Sequence, residues 1–448
     1  MSVDSLSRPG AAAASCDVLV IGGGPAGSTA ATLLAERGLH VVLVEKGTHP
    51  RFHIGESLLP ANLPLLERLG VRAEIEAIGL RKWAAEFVSP EHGESARYEF
   101  AEALDKSMPF AYQVRRSEFD EILFRRAARA GAETRENCRV REVDLGDRER
   151  LPLVRATGGD GAELEWRPRF VVDASGRDTL VANRLGIKRR NPRHASAAMY
   201  AHFRGARRHE GRHEGNITIY WFDHGWFWFI PLKDGATSVG AVAWPYYMKS
   251  RAKPLPEFFR DTLAMCAPLA ERLAGAEIVS EVEATGNYSY LSEACQGENH
   301  ILVGDAFAFI DPVFSSGVWL AMNSAVAGAD LVEARLREPA KEAARRREFE
   351  RVMRHGPTQF SWFIYRVTNP AMRELFLRPS NELRIKEGLL SVLAGDIFGR
   401  TPLARPLALF KLIYYAFSLA NLRRTLAASR RRASNIRDDA AIPQRAGD

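Results

Sequence analysis

Cysteine is scarce in this sequence. The four residues, Cys16, Cys138, Cys266 and Cys295, are widely scattered and none forms a CxxC pair. That pattern gives no support to a thiolate metal centre or a dithiol redox motif, and no metal site is expected. A membrane-spanning run is missing too: the longest apolar stretch near the end, Leu407 to Leu422, is too short and is broken by Lys411 and several polar residues. The opening segment, MSVDSLSRPGAAAASCD, contains no hydrophobic core of signal-peptide length, so the expectation is a cytoplasmic enzyme without membrane association. Low-complexity tracts and repeats of solenoid or propeller period are absent. Nor is the net charge of +7 spread as a nucleic-acid surface would need. Much of it sits in Arg345, Arg346 and Arg347 and in a tail carrying Arg423, Arg424, Arg430, Arg431, Arg432 and Arg437. No basic stripe interleaved with aromatics occurs elsewhere, so nucleic acid is not an expected partner.

The chain is long enough for two or three structural units. The first informative segment is DVLVI (17–21), a β-branched run of the kind a buried parallel strand needs. Gly22-Gly23-Gly24-Pro25-Ala26-Gly27 follows, then the Ala-rich helical stretch STAATLLAERG, then a second apolar run, HVVLVEK, that carries Glu45 and Lys46. Strand, glycine turn, helix, strand and acid stand in the order of a dinucleotide-binding unit. Gly22 permits the tight turn, Gly24 lets backbone approach a pyrophosphate, and Gly27 lets helix and strand pack closely. The helix N-terminus faces the phosphate charge, and Glu45 is placed to accept hydrogen bonds from a ribose. Candidate cofactor contacts here are Gly22, Gly24, Pro25, Ala26, Gly27, Glu45 and Lys46.

The choice between FAD and NAD rests on a distant segment. ILVGDAFAFIDPVFSSGVWLAMNSA (301–325) reads as an apolar strand, Gly304-Asp305, a turn and a helix of small residues. It resembles the second FAD signature of the p-hydroxybenzoate-hydroxylase-like flavoproteins. The resemblance implies that Asp305 binds the ribityl chain and that Arg116, in QVRRSEFDEIL (113–123), contacts the flavin. It also places the glycine of the family's Asp-Gly motif at Gly176, in VVDASGRDTL (171–180). These motifs frame roughly the first three quarters of the chain.

Three further segments resemble the flavin-dependent halogenases of that superfamily. Trp226-Phe227-Trp228-Phe229-Ile230-Pro231 matches their WxWxIP signature. Period-2 geometry points Trp226 and Trp228 the same way, and with Ile230 and Pro231 they form a wall that keeps organic substrates from the flavin while admitting a halide. Lys82, in GLRKWAAEFV, follows the GES segment HIGESLLP (53–60) and is expected at the start of a strand. The resemblance makes Lys82 the essential lysine; Lys106 is second choice. In Asp311-Pro312-Val313-Phe314-Ser315-Ser316-Gly317 the resemblance places a halide at Ser316 and Gly317. Ser57, Pro312 and Ser315 are additional candidates. Phe314 stands where tryptophan halogenases have a glutamate, which leans toward enzymes acting on phenols or carrier-bound pyrroles.

The resemblance implies FAD, used as FADH2, with O2 and a halide ion, chloride or bromide. Hypohalous acid relayed by Lys82 then halogenates an electron-rich aromatic substrate, phenolic or pyrrolic, free or on an acyl or peptidyl carrier protein. No second dinucleotide fingerprint occurs, since GGDG (158–161) lacks flanking elements. A separate NAD(P)H-dependent flavin reductase is therefore the expected partner. The alternatives are an FAD-dependent monooxygenase or geranylgeranyl-reductase-like oxidoreductase, and a non-catalytic flavin-binding sensor.

The expected architecture is α/β. A Rossmann-like FAD-binding domain (14–190 and 285–345, with 82–112 on the substrate side) receives an antiparallel-sheet substrate domain (191–284). A helical C-terminal region (346–425) and a disordered basic tail (426–448) follow. The aromatics Phe360, Trp362, Phe363, Tyr365, Tyr414, Tyr415 and Phe417 fit either a helix core or a lid over an apolar substrate. The tail arginines fit an acidic carrier protein, and interfacial membrane contact is the other use of such a helix.

Overall fold

The computed structural model describes residues 13–440 apart from 148, 287, 288, 368, 380, 399 and 400. Among the described residues, seven strands make a nucleotide-type sheet. Ala14–Ile21 lies between Val41–Val44 and Glu163–Asp173, parallel to both, with Ile21 opposite Val44 and Asp173. Leu19, Val20, Val41 and Leu43 are buried, as strands covered on both faces require. His300–Leu302 adds a further parallel strand beside Glu163–Asp173. The helix Pro25–Glu36 starts with proline in its first turn and packs its small residues against the long helix Gly317–Arg337.

A second, eight-stranded sheet is antiparallel except where Ile217–Phe222 pairs in parallel with Ala84–Ser89. The strand that contains Ala85 to Val88 thus joins this sheet from far upstream. Gly225–Pro231 sits in its middle, between Ile217–Phe222 and Ala236–Ala243. Alternation splits its aromatics: Trp226, Trp228 and Ile230 join the main core, whereas Phe227 and Phe229 enter a second core with Phe203 and Phe259.

Beyond residue 338 the chain is helical, through Pro339–Ile364, Pro370–Leu377, Ile385–Ala394, Ala404–Ala420 and Leu422–Ala440. Phe360 and Phe363 are fully buried and stack around Phe314, so they are helix core; Tyr415 is half exposed. The disordered tail expected from 426 is corrected here: residues 426–440 continue the last helix. Its Leu, Ala and Arg content favours helix, and Arg432 turns inward over the Tyr365 ring, 5.0 Å from its centroid. Residues 441–448 lie outside the described part. Among the described residues no helix is long and apolar enough to cross a membrane, and no group of three or more His, Cys, Asp or Glu could hold a metal ion.

Candidate active site

The carboxyl ends of the parallel strands open into a cavity of about 1300 Å³ that runs on to the indoles of the second sheet. Gly22, Gly24, Pro25, Ala26, Glu45 and Lys46 line it. Gly22 has φ +103°, and a side chain there would strike the Ala174 carbonyl oxygen at 2.4 Å. A Cβ on Gly27 would sit 1.9 Å from the Gly22 carbonyl oxygen, so this glycine serves the turn and does not line the cavity. At Gly24 a Cβ would meet only the Arg51 guanidinium, at 3.7 Å, which leaves the backbone open to the cavity. These features fit a dinucleotide pyrophosphate. Glu45 is already engaged within the protein, accepting from the Gly23 N–H (2.7 Å) and the Gly47 N–H (2.9 Å). It organises the turn at least as much as it could serve a ribose. Lys46 reaches across to Asp178.

Further along, Arg116 opens the helix Arg116–Arg129 and is held by Asp120 through two hydrogen bonds, 2.8 and 3.0 Å. Against the effect of burial, that guanidinium keeps the Asp120 carboxyl below the usual range. Asp305 lies in a short helical turn beginning at Gly304, and burial pushes its pKa up to about 6. A carboxyl so poorly hydrated suits hydrogen bonding to a sugar-like hydroxyl chain. Gly176 lines the cavity with φ +62°. His53 lines it too; burial, then Arg116, bring its pKa down to about 4, so it is neutral.

Trp226, Trp228 and Ile230 line the same cavity, and Pro231 does not. The two indoles lie 6.0 Å apart, and Trp228 donates from Nε1 to Ser238 Oγ at 3.1 Å. The indole lies flat across the neighbouring strand because Gly240 has no side chain: a Cβ there would come within 2.2 Å of Trp228.

Lys82 ends the short strand Leu80–Lys82 rather than starting one; the next strand opens at Ala84. This corrects the expected placement, and the reason is local: Leu80–Lys82 pairs with Ala111–Gln113 before the chain turns into the larger sheet. Its side chain is 1% exposed. Nζ donates to Ser57 Oγ at 2.9 Å and sits 5.3 Å from the Phe100 ring centroid. Ser57 lines the cavity; Lys82 stands directly behind it. Burial alone brings the Lys82 pKa down to about 7, because an amine without water favours its neutral form. Lys106 is exposed in a loop.

Asp311 caps the next turn, accepting from the Val313 N–H (3.2 Å), from Ser196 (2.9 Å) and from His194 (2.9 Å). Ser315 adopts φ +54°, and Ser316 stands at the start of the 21-residue helix Gly317–Arg337 without a side-chain capping bond. Pro312, Ser315 and Gly317 line the cavity. Ser316 is 1% exposed and its hydroxyl has no hydrogen-bond partner among the described residues. An unpaired buried donor beside the open N–H groups of a helix start fits a small anion.

Residues 15–347 match the family described as FAD binding domain. The chain is 34% identical over 375 residues to a flavin-dependent halogenase, gsfI, of Penicillium aethiopicum, covering 77% of this chain and 69% of that protein. The chain belongs to the flavin-dependent halogenases. A 1H-pyrrole-2-carbonyl-[peptidyl-carrier protein] chlorinase of Pseudomonas fluorescens is 30% identical to this halogenase, over 85% of this chain and 89% of that one. The solved structure of the myxobacterial chondrochloren halogenase CndH superposes with a TM-score of 0.76 at 34% identity, covering 87% of this chain and 92% of that one. The halogenase is thus an FAD enzyme that uses halide.

Several residues of the halogenase site were not singled out in the sequence. Ser238 and Gly240 shape the indole wall from ten and more positions away, across a strand pair. Asp120 fixes Arg116, and Arg51 bridges Asp120 and Glu45 at 3.3 Å each. Glu56, next to Ser57, lines the cavity with one oxygen on His202 at 2.8 Å and the other buried without a partner among the described residues.

Proposed function

We propose that the enzyme halogenates an electron-rich aromatic ring, phenolic or pyrrolic, with hypohalous acid passed on by Lys82. The observation that carries the proposal is the state of that lysine: fully buried, pulled toward neutrality near pH 7, and tied to a hydroxyl in the cavity wall. Reduced FAD, when bound, supplies two electrons to O2, so that halide is oxidised to hypohalous acid and water is released. Gly22, Gly24, Arg116 and Asp305 would hold the cofactor, with Asp120 fixing the arginine. Ser316 and Gly317 hold the halide at the helix start. Trp226 and Trp228 line the same cavity and would keep an organic ring from reaching the flavin directly. Lys82 then binds hypohalous acid by hydrogen bonding, or takes the halogen as a haloamine with loss of water. In both cases the ring carbon gains halogen and loses a proton.

The substrate is free or held on an acyl or peptidyl carrier protein; the name of the Pseudomonas fluorescens relative, a carrier-bound pyrrole chlorinase, supports the second form. A separate NAD(P)H-dependent reductase supplies the reduced flavin. The test provides FADH2, air and bromide with a phenol and, in parallel, a pyrrole thioester on its carrier protein. Mass spectrometry should show a bromine isotope doublet in at least one product. Oxygen consumed with neither ring brominated would overturn the substrate class.

A further inference from the structure

We infer that the enzyme carries a second ligand site, for a diphosphate, in the cavity between its C-terminal helices and the strands around Arg190 and Tyr290. This cavity measures about 990 Å³ and adjoins the cofactor cavity, since Arg190 and Tyr290 line both. Among the described residues lining it, Glu293 is the one carboxylate, and it pairs with Arg189 at 2.7 Å. Arg193, Arg354, Arg366, Lys411 and Arg432 also line it.

Neutral groups fix these cations in place. Arg354 donates to the Glu293 carbonyl oxygen at 3.1 Å. Arg366 donates to the Trp362 carbonyl oxygen at 2.8 Å and stacks on the Trp362 ring at 4.4 Å, which Lys411 also faces at 5.1 Å. Arg432 donates to the Arg193 carbonyl oxygen at 2.8 Å while covering Tyr365. Burial lowers the pKa of Lys411, and that of Arg432 to about 10, so these two cations sit where water solvates them poorly. Concentrated positive charge in a half-enclosed space is stabilised by a multiply charged anion. A single carboxylate offers too little charge, whereas each phosphate group brings roughly −1.5 to −2 and matches the guanidinium fork. Arg354, Arg366 and Arg432 are already held by backbone carbonyls, so little side-chain entropy is lost on binding.

The site also touches the halide turn. Arg432 lies 3.4 Å from His194 Nδ1, and the opposite ring nitrogen of His194 contacts Asp311, which caps that turn. A diphosphate here therefore rests one side chain away from the Asp311 cap.

The test is isothermal titration calorimetry of the full-length, FAD-loaded protein with inorganic diphosphate, so that the cofactor cavity is already filled. One saturable site is expected, weakened about tenfold or more by Arg366→Gln and by Arg432→Gln, with the flavin absorbance unchanged. Should Arg366→Gln fail to fold, Lys411→Gln carries the same expectation. An ADP arm separates the two sources of the ligand: tighter binding than inorganic diphosphate supports a nucleotide, equal or weaker binding supports the free anion. Absence of saturable heat, full affinity in the variants, displacement of FAD, or equal affinity for citrate would overturn the proposal.

Discussion

Lys82 donates from Nζ to Ser57 Oγ across 2.9 Å, so a fully buried amine is joined to the wall of the cofactor cavity by one hydroxyl. The arrangement keeps the amine away from bulk water yet one hydrogen bond from the cavity. Burial of an amine is costly unless it loses its proton, and the depressed pKa is that cost expressed as reactivity.

Removing the amine while keeping its volume isolates the chemical step. Lys82→Met should bind FAD and consume oxygen as the wild type does, while halogenated product falls by about 10²- to 10⁴-fold. Lys106→Ala, an exposed loop change, should keep most activity. Product chromatography beside an oxygen electrode measures both, and an active Lys82→Met enzyme would remove this lysine from the mechanism.

The same lysine should set two pH profiles. With a folded pKa of about 7, neutral amine accumulates as pH rises, so halogenation at saturating halide should climb through pH 7 and level off above it. Between about 7 and the ordinary value near 10.5 the unfolded chain holds a proton that the folded one lacks, so wild-type stability rises with pH across that window. Lys82→Met should accordingly be more stable than the wild type, most of all below pH 7, by at most on the order of 5 kcal/mol. Denaturant melts at pH 6 and pH 9 check this; a gain that does not shrink at pH 9 would contradict the buried, neutral amine.

Gly24→Val should purify without its yellow flavin while the apoprotein melts at nearly the wild-type temperature. The added side chain points into open cavity rather than into protein. A retained flavin band near 450 nm would displace the pyrophosphate from this turn.

At the indole wall, Trp228→Ala should raise the oxygen consumed per halogenated product, measured as released peroxide. Gly240→Ala should do the same from the neighbouring strand by pushing the indole aside, at about 1–3 kcal/mol of stability. Unchanged coupling in both variants would reduce the indoles to packing.

Ser316→Ala deletes a buried hydroxyl that has no partner among the described residues. Thermal stability should hold or rise by about 1 kcal/mol, whereas the KM for halide should rise severalfold with the FAD content unaltered. An unchanged halide KM would place the anion elsewhere.

Much of the fold was legible because its signals are local. A buried parallel strand needs a β-branched run, and a tight turn before a helix needs glycine, so residues 17–27 announce themselves within a dozen positions. Alternation along Trp226 to Ile230 likewise told which side chains share a face, since period 2 is a property of the strand alone. The sequence by itself therefore determined the cofactor unit, the aromatic strand and the family to which they belong. Three-dimensional packing decided the rest. The sequence marks Lys82 by resemblance alone, and its burial exists only once Ser57, Phe100 and the strand Ala111–Gln113 close around it. The tail reads as a solvated charge block until Tyr365 offers Arg432 a ring to cover. Gly240 reads as a gap in a strand until an indole twelve residues upstream fills it. Charge state and wall shape depend on which distant groups exclude water from a given atom, and that exclusion exists only once the chain has folded.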